Sequence, residues 1–352
     1  MRKSAKLYAI LLFSVLAILP LSGCSKSAFT KTETVFALDT VISVTYYDEK
    51  DGEAVKGALS LLQDNEKIFS AKDPESELCR LNERILDASS DADVTALSVD
   101  GERTLYGFSV SDALYALLEK ALSIAKLDIG FDITLGRISD LYGFGTDSPS
   151  VPSDDTLSEL LSHTGSSHLS LSDGMLFTDD RELAIDLGGI AKGYIGDLMK
   201  AYMVEKGVES ALLNLGGNIL SIGEKPGAGG ASSPFTVGIS YPEKDSADYI
   251  TTVSVSGEAV ATSGSYQRYF EKDGVRYHHI LDPKTGKPAK SGVLSASVIA
   301  PDAATSDALS TAFFVSGMEK EKALLALFPD VEVIFIDESL QVLSLSPKIY
   351  YN

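Results

Sequence analysis

The sequence predicts an α+β fold, with mixed, largely antiparallel sheets and helices packed on them. Three observations lead there. β-branched and aromatic runs recur along the chain, and "HLSLSDGMLF" (168–177) carries a hairpin turn signal at Asp173-Gly174. Runs with apolar residues at helical spacing are scattered among these strands. The regular strand–helix alternation of a doubly wound parallel sheet is missing, and no repeat of roughly 20 to 50 residues points to a solenoid.

The first 23 residues stand apart. Arg2, Lys3 and Lys6 precede the apolar run "LYAILLFSVLAILPL", and Leu21-Ser22-Gly23-Cys24 follows. A basic start, an apolar core and small residues describe a secretory signal. Its ending looks like a bacterial lipobox, with Cys24 as the lipidated new N-terminus. Residues 24–33 then read as a polar tether and 34–345 as the folded domain. Cleavage removes three basic residues and no acidic one, taking the formal charge from −20 to −23. Such an anionic protein suits neither nucleic acid nor an anionic lipid surface. With Cys24 given to lipid only Cys79 remains, so no disulfide framework is available and an apolar core must hold the fold.

Within the domain, "TVFALDTVISVTYY" (34–47) reads as a strand and "EAVKGALSLLQDNEKIFS" (53–70) as a helix. The Ser-, Asp- and Ala-rich stretch 87–103 reads as an exposed loop, and 112–127 as a second helix. After the hairpin come a strand over 182–187, a helix over 190–206 closed by Gly207, and a strand over 211–220. A surface loop over 223–234 leads into further strands, one helix in "ATSDALSTAFFV" and a second at 319–328.

Three stretches carry chemistry. In "IDLGGIAKGYIGD" (185–197) two glycines stand between an apolar run and a helix start. Free backbone N–H groups beside Gly188 and Gly189, the helix dipole and Lys192 suit an anion. Close packing of helix on strand explains the same glycines, and neither a Walker A loop nor G-x-G-x-x-G is present. "VRYHHILDPKTGKP" (275–288) pairs His278 with His279 on a strand, so the two face opposite ways. One is a candidate general base, and a purely structural histidine stays open. "PDAATSDALSTAFF" (301–314) sets Asp307 and Thr311 on one helical face, a pairing that suits a hard cation such as Mg²⁺. A dipole-tuned Asp307 with a back-bonded Thr311 is the other reading. Taken together, the three stretches suggest metal-assisted chemistry on a phosphate ester or anhydride.

Over residues 34–345 the chain resembles the ApbE family, the FAD:protein FMN transferases. The matching stretches are "FSAKDPESELCRLN", "GFDITLGRISDLYGFG", "IDLGGIAKGYIGD", "ALLNLGGNI", "AVATSGSYQRYF", "HHILDPKTGKP" and "DAATSDALSTAFFVSG", in family order. The resemblance implies an enzyme whose substrate is FAD and whose cofactor is Mg²⁺. It passes FMN to a threonine of an exported or membrane flavoprotein and releases AMP. It further implies that the Ala191 carbonyl, Asp307 and Thr311 hold the metal and that His279 is the catalytic base, with His278 its outward-facing neighbour. Leu38, Gly130, Phe131, Asp132, Lys192, Tyr194 and Leu281 are expected to bind FAD. Leu38-Asp39 replaces the family's frequent Met-Gly, and Tyr142 stands where tryptophan is frequent. An FAD pyrophosphatase releasing FMN and AMP, or a flavin-binding lipoprotein without turnover, is the competing function. Lipid anchoring on the extracytoplasmic side is expected from Cys24.

Overall fold

The computed structural model describes residues 29–87, 95–99, 103–243, 248–344 and 349–350. The expected signal segment and Cys24 lie outside the described residues. Among those described, no helix is long and apolar enough to cross a membrane.

The chain opens with the hairpin β1 (Lys31–Ala37) and β2 (Thr40–Tyr46), followed by α1 (Gly52–Phe69) and α2 (Glu77–Leu86). Strands β3 (Thr95–Val99) and β4 (Arg103–Ser109) lead to α3 (Asp112–Ala125), α4 (Gly136–Tyr142) and α5 (Asp154–Leu161). The hairpin β5 (Leu169–Ser172) and β6 (Met175–Thr178) precedes α6 (Ala191–Glu205). Next come β7 (Ala211–Leu215), β8 (Asn218–Ile222), the short pair β9 (Lys225–Pro226) and β10 (Ser232–Ser233), then β11 (Phe235–Ser240) and β12 (Tyr249–Val255). β13 (Ala259–Gly264), β14 (Tyr269–Lys272), β15 (Val275–His278) and β16 (Val293–Ala300) are followed by α7 (Ala303–Ser316) and α8 (Glu321–Leu327). Strands β17 (Glu332–Asp337), β18 (Val342–Ser344) and β19 (Ile349–Tyr350) complete the order.

The main sheet has eight strands in the order β1-β2-β7-β8-β13-β16-β17-β18, every neighbour antiparallel. Side-chain alternation gives it two apolar faces. Val298, Val333 and Phe335 point into the larger core with α1, α3, α6 and α7, whereas Ile299, Ile334 and Ile336 meet β11 and β12 on the other side. The α+β fold is thus as expected.

Several elements differ from the sequence reading, each for a local reason. The run 34–47 folds back on itself: Leu38 and Asp39 both take left-handed φ, 54° and 57°, and the Leu38 amide donates to Glu66 Oε1 at 2.6 Å. That strand begins at Lys31, inside the expected tether. Gly216 and Gly217, both at positive φ, likewise turn 211–220 into the β7–β8 hairpin. Within the expected loop over 87–103, Thr95–Val99 forms β3 and Arg103 opens β4, and 88–94 and 100–102 lie outside the described residues. The expected strand over 182–187 joins no sheet and makes one bridge, Ala184 to Leu135. Its polar groups are taken elsewhere: Asn82 exchanges two hydrogen bonds with Ile185, and the Asp186 amide donates to Ile133.

Candidate active site

Helices α6 and α7 cross at the centre of the site. α7 is buried on nearly every side, Ser306, Asp307 and Ser310 included, so its polar groups need internal partners. Ser306 donates to the Val298 carbonyl at 2.7 Å, and Ser310 donates to the Asp307 carbonyl at 2.8 Å. Asp307, 5% exposed, accepts from the Gly193 amide at 3.0 Å and from the Asn218 side-chain amide at 2.8 Å. Both donors are neutral, and no lysine or arginine pairs with this carboxylate among the described residues.

The Thr311 hydroxyl, one turn along, lies 3.2 Å from that of Ser263 on β13. It also borders the glycine turn: a β-carbon at Gly189 would sit 3.6 Å from Thr311 Oγ1 and 3.2 Å from the Phe131 ring. Ala191, the first residue of α6, is buried. One carboxylate, one hydroxyl and one backbone carbonyl make an all-oxygen donor set, and a buried carboxylate facing only neutral donors fits a hard cation. Among the described residues no group of three or more His, Cys, Asp or Glu is gathered.

The glycine turn is less open than its sequence implies. The Gly188 amide donates to Asp186 Oδ1, the Ile190 and Ala191 amides donate to the Leu187 carbonyl, and the Gly193 amide is on Asp307. Gly189 and Lys192 are left as the first-turn amides without a partner among the described residues. Lys192 Nζ reaches back 3.2 Å to the Gly188 carbonyl.

His279 follows β15 directly and is half-buried. Its amide donates to the Arg268 carbonyl at 3.0 Å, and Nδ1 lies 3.2 Å from the same oxygen. A carbonyl only accepts, so Nδ1 carries the proton and Nε2 keeps a lone pair. Desolvation, then the charges of Arg268 and Lys192, hold this imidazole down at about 3. Lys192 therefore links the histidine to the glycine turn. His278 is not the outward-facing neighbour: it is 7% exposed, edge-on to Phe314, with Nε2 3.1 Å from the Ala289 carbonyl. The two histidines do face opposite ways, but the outward one is His279. Burial lowers the His278 ring to about 4.

The remaining expected residues have partners of their own. Gly130, at φ 92°, packs against Val315 and Ser316 at the end of α7. The Asp132 carboxylate is spent inside the protein, accepting from the Thr134 amide and hydroxyl and from the Ser166 amide. Tyr194 meets Phe69 edge-on, and desolvation with Asp197 and Glu119 nearby raises its phenol. Leu38 is held at α1 by Glu66, and Leu281 is buried in a separate cluster with Ile138, Tyr142 and Leu157. Tyr142 stacks on Phe144 at 5.0 Å, and burial pushes its phenol up to about 12. Sequence reasoning missed Asn218, Ser263, Arg268 and Asp197. The one cue for Asn218 was its place directly after the Gly216-Gly217 pair.

Comparison with known proteins follows this geometry. A family model described as the ApbE family matches residues 38–335. The FAD:protein FMN transferase of Treponema pallidum (strain Nichols) is 36% identical over 324 residues, covering 88% of this chain and 84% of that one. The protein of the same name from Vibrio cholerae serotype O1 is 31% identical, covering 89% of each. Among solved structures, the ApbE protein of Thermotoga maritima superposes with a TM-score of 0.76 at 31% identity, over 90% of this chain and 97% of that one. A flavin transferase ApbE from Vibrio cholerae gives 0.73 at 26% identity, over 91% and 98%.

Proposed function

The chain belongs to the ApbE family, and on that premise we propose that it is an FAD:protein FMN transferase that uses Mg²⁺ and modifies a threonine. The observation that carries the cation site is Asp307, a buried carboxylate whose partners are two neutral N–H donors. Asp307, Thr311 and the Ala191 carbonyl would hold the ion. When bound, it supplies positive charge against the FAD pyrophosphate as charge moves onto the leaving phosphate.

The chain's own groups account for the rest. The neutral His279 Nε2 takes the proton of the acceptor threonine hydroxyl as that oxygen attacks the FMN phosphorus. One P–O bond forms to threonine, the bond to the bridging oxygen breaks, and AMP leaves with that oxygen. Lys192 and the Gly189 amide border the same anion. Gly130, Phe131 and Asp132 shape the loop at the end of α7, and Tyr194 and Leu38 offer ring and apolar surface to the flavin and adenine ends. The Leu281 side chain lies inside the cluster of Ile138, Tyr142 and Leu157 and would back that surface rather than line it. The acceptor is an exported or membrane flavoprotein. Lipid on Cys24 would hold enzyme and acceptor on the extracytoplasmic side.

The test is incubation with FAD, Mg²⁺ and an exported flavoprotein that bears a candidate threonine. The acceptor's intact mass should rise by one FMN, with AMP released in equal amount, and mutation of that threonine should abolish the gain. Free FMN and AMP over an unmodified acceptor would make the enzyme a pyrophosphatase.

A further inference from the structure

Asp197 lies on α6, one turn beyond Gly193 and on the same face. Its Oδ1 accepts from the Ala303 amide and its Oδ2 from the Ala304 amide, both at 2.8 Å. These are the first two amides of α7, which nothing within that helix can satisfy. The local cap, Asp302, serves the next one, accepting from the Thr305 amide at 2.8 Å. The start of α7 is thus gripped by two carboxylates, and one of them belongs to the neighbouring helix.

The contact is also sterically tight. A β-carbon at Gly193 would lie 2.1 Å from the Ala303 carbonyl oxygen. One face of α6 therefore fixes α7 at three successive points: Gly193 against the Ala303 carbonyl, Asp197 on the Ala303 and Ala304 amides, and the Gly193 amide on Asp307. Among the described residues no lysine or arginine is within ion-pair distance of Asp197 itself. Lys200, the nearest lysine on α6, donates to the Gly257 carbonyl at 2.6 Å, and Lys120 of α3 turns to Thr305 and Asp302. Desolvation raises the Asp197 carboxyl to about 6, against the pull of its two amide bonds. A costly carboxylate is retained at a position that stiffens the crossing.

We infer that Asp197 is a positioning residue for the cation site, setting the axial register of α7 so that Asp307 and Thr311 meet the start of α6. This rests on the cation reading proposed above. A helix is stiff along its axis, so a shift at Ala303 carries through to Asp307 four residues on. An amide at position 197 keeps one acceptor but turns N–H toward N–H at the other contact.

The experiment measures FAD binding by flavin fluorescence against Mg²⁺ concentration for the wild type and Asp197→Asn, without acceptor, alongside amide hydrogen exchange of 303–304. In the variant, exchange at Ala303 and Ala304 should quicken and the half-saturating Mg²⁺ should rise roughly 10- to 100-fold, as for residues supporting metal ligands. Metal-free FAD binding should be unchanged. Faster exchange with wild-type Mg²⁺ dependence would reduce Asp197 to a helix cap and overturn the inference alone. A wild type without Mg²⁺ dependence would overturn the cation reading beneath it. If the variant does not fold, the wild type still decides. Asp302 and Lys200 act on the carboxyl and Lys120 and Tyr194 line the same hollow, and of the group Asp197 is the one raised to about 6. Half-saturating Mg²⁺ should therefore climb as pH falls through about 6, and a flat profile there contradicts the clamp.

Discussion

The Gly193 amide donates to Asp307 Oδ2 at 3.0 Å, a bond between two helices made possible because residue 193 has no side chain. The same close approach holds the carboxylate that we propose faces a cation. Gly193→Ala would drive its methyl into the Ala303 backbone. We expect a loss of about 1–3 kcal/mol in stability, the usual scale of overpacking. Transfer should fall further than stability explains. Chemical denaturation with rate measurements at a temperature where the variant stays folded checks both.

The two histidines separate cleanly. His279→Ala should lower turnover by roughly 10²- to 10⁴-fold, the scale of general-base catalysis, with FAD affinity little changed. His278→Ala strips the Ala289 carbonyl of its donor and opens space beside Phe314. It should cost about 1–3 kcal/mol of stability yet keep most activity per folded molecule. Equal kinetic losses in both would reverse the assignment.

Both rings also set a pH dependence of stability. Unfolded imidazoles take up a proton near the ordinary histidine value of about 6.5, the folded ones only near 4 and 3. Between those values the unfolded state binds more protons, so stability is full above about 6.5 and is lost as pH falls through the folded values. Asp197 has the opposite sign: its carboxyl, raised to about 6, favours the folded state in acid and loses that contribution as pH rises toward 6. Melts of the wild type, His278→Ala and His279→Ala from pH 7.5 to 4.5 test this. Either variant should lose less stability in acid than the wild type. Parallel curves would contradict the depressed values.

Much of this was legible in the sequence. The 3.6-residue spacing marked α1 and α3, Gly207 marked the end of α6, and Asp173-Gly174 marked its hairpin, because these signals are local. The pairing of Asp307 with Thr311 was readable for the same reason. Asn218 and Ser263 were not, since strands far apart in sequence bring them to α7. The Leu38–Asp39 turn was also hidden, because leucine is a poor left-handed residue and only the Glu66 contact reveals why it turns. His278 was misjudged because alternation says that the pair faces two ways but not which way is inward.

That turn gives a stability test. Asp39 sits at φ 57° where glycine would carry no β-carbon penalty. Asp39→Gly removes a left-handed cost of at most about 1–2 kcal/mol, partly offset by glycine's greater freedom in the unfolded chain. Denaturant unfolding should therefore show a small gain, whereas a loss would show that the Asp39 side chain has a role of its own.

The lipobox reading has its own test. Intact mass of the wild type should show cleavage before Cys24 and lipid on its sulfur, and Cys24→Ser should carry no lipid. A wild type without lipid on Cys24 would contradict it.

The central claim is that Asp307 faces a cation that the reaction needs. The direct measurement is FMN transfer rate against Mg²⁺ concentration for the wild type and Asp307→Asn, with melts in parallel. Asparagine keeps the size and one oxygen but removes the charge. The account predicts that wild-type transfer rises with Mg²⁺ and saturates, while Asp307→Asn shows no transfer at any Mg²⁺ concentration despite a folded core. If Asp307 served only the helix dipole, worth about 0.3–1 kcal/mol, the variant would melt slightly earlier and transfer at the wild-type rate with wild-type metal dependence, and that result would contradict the account.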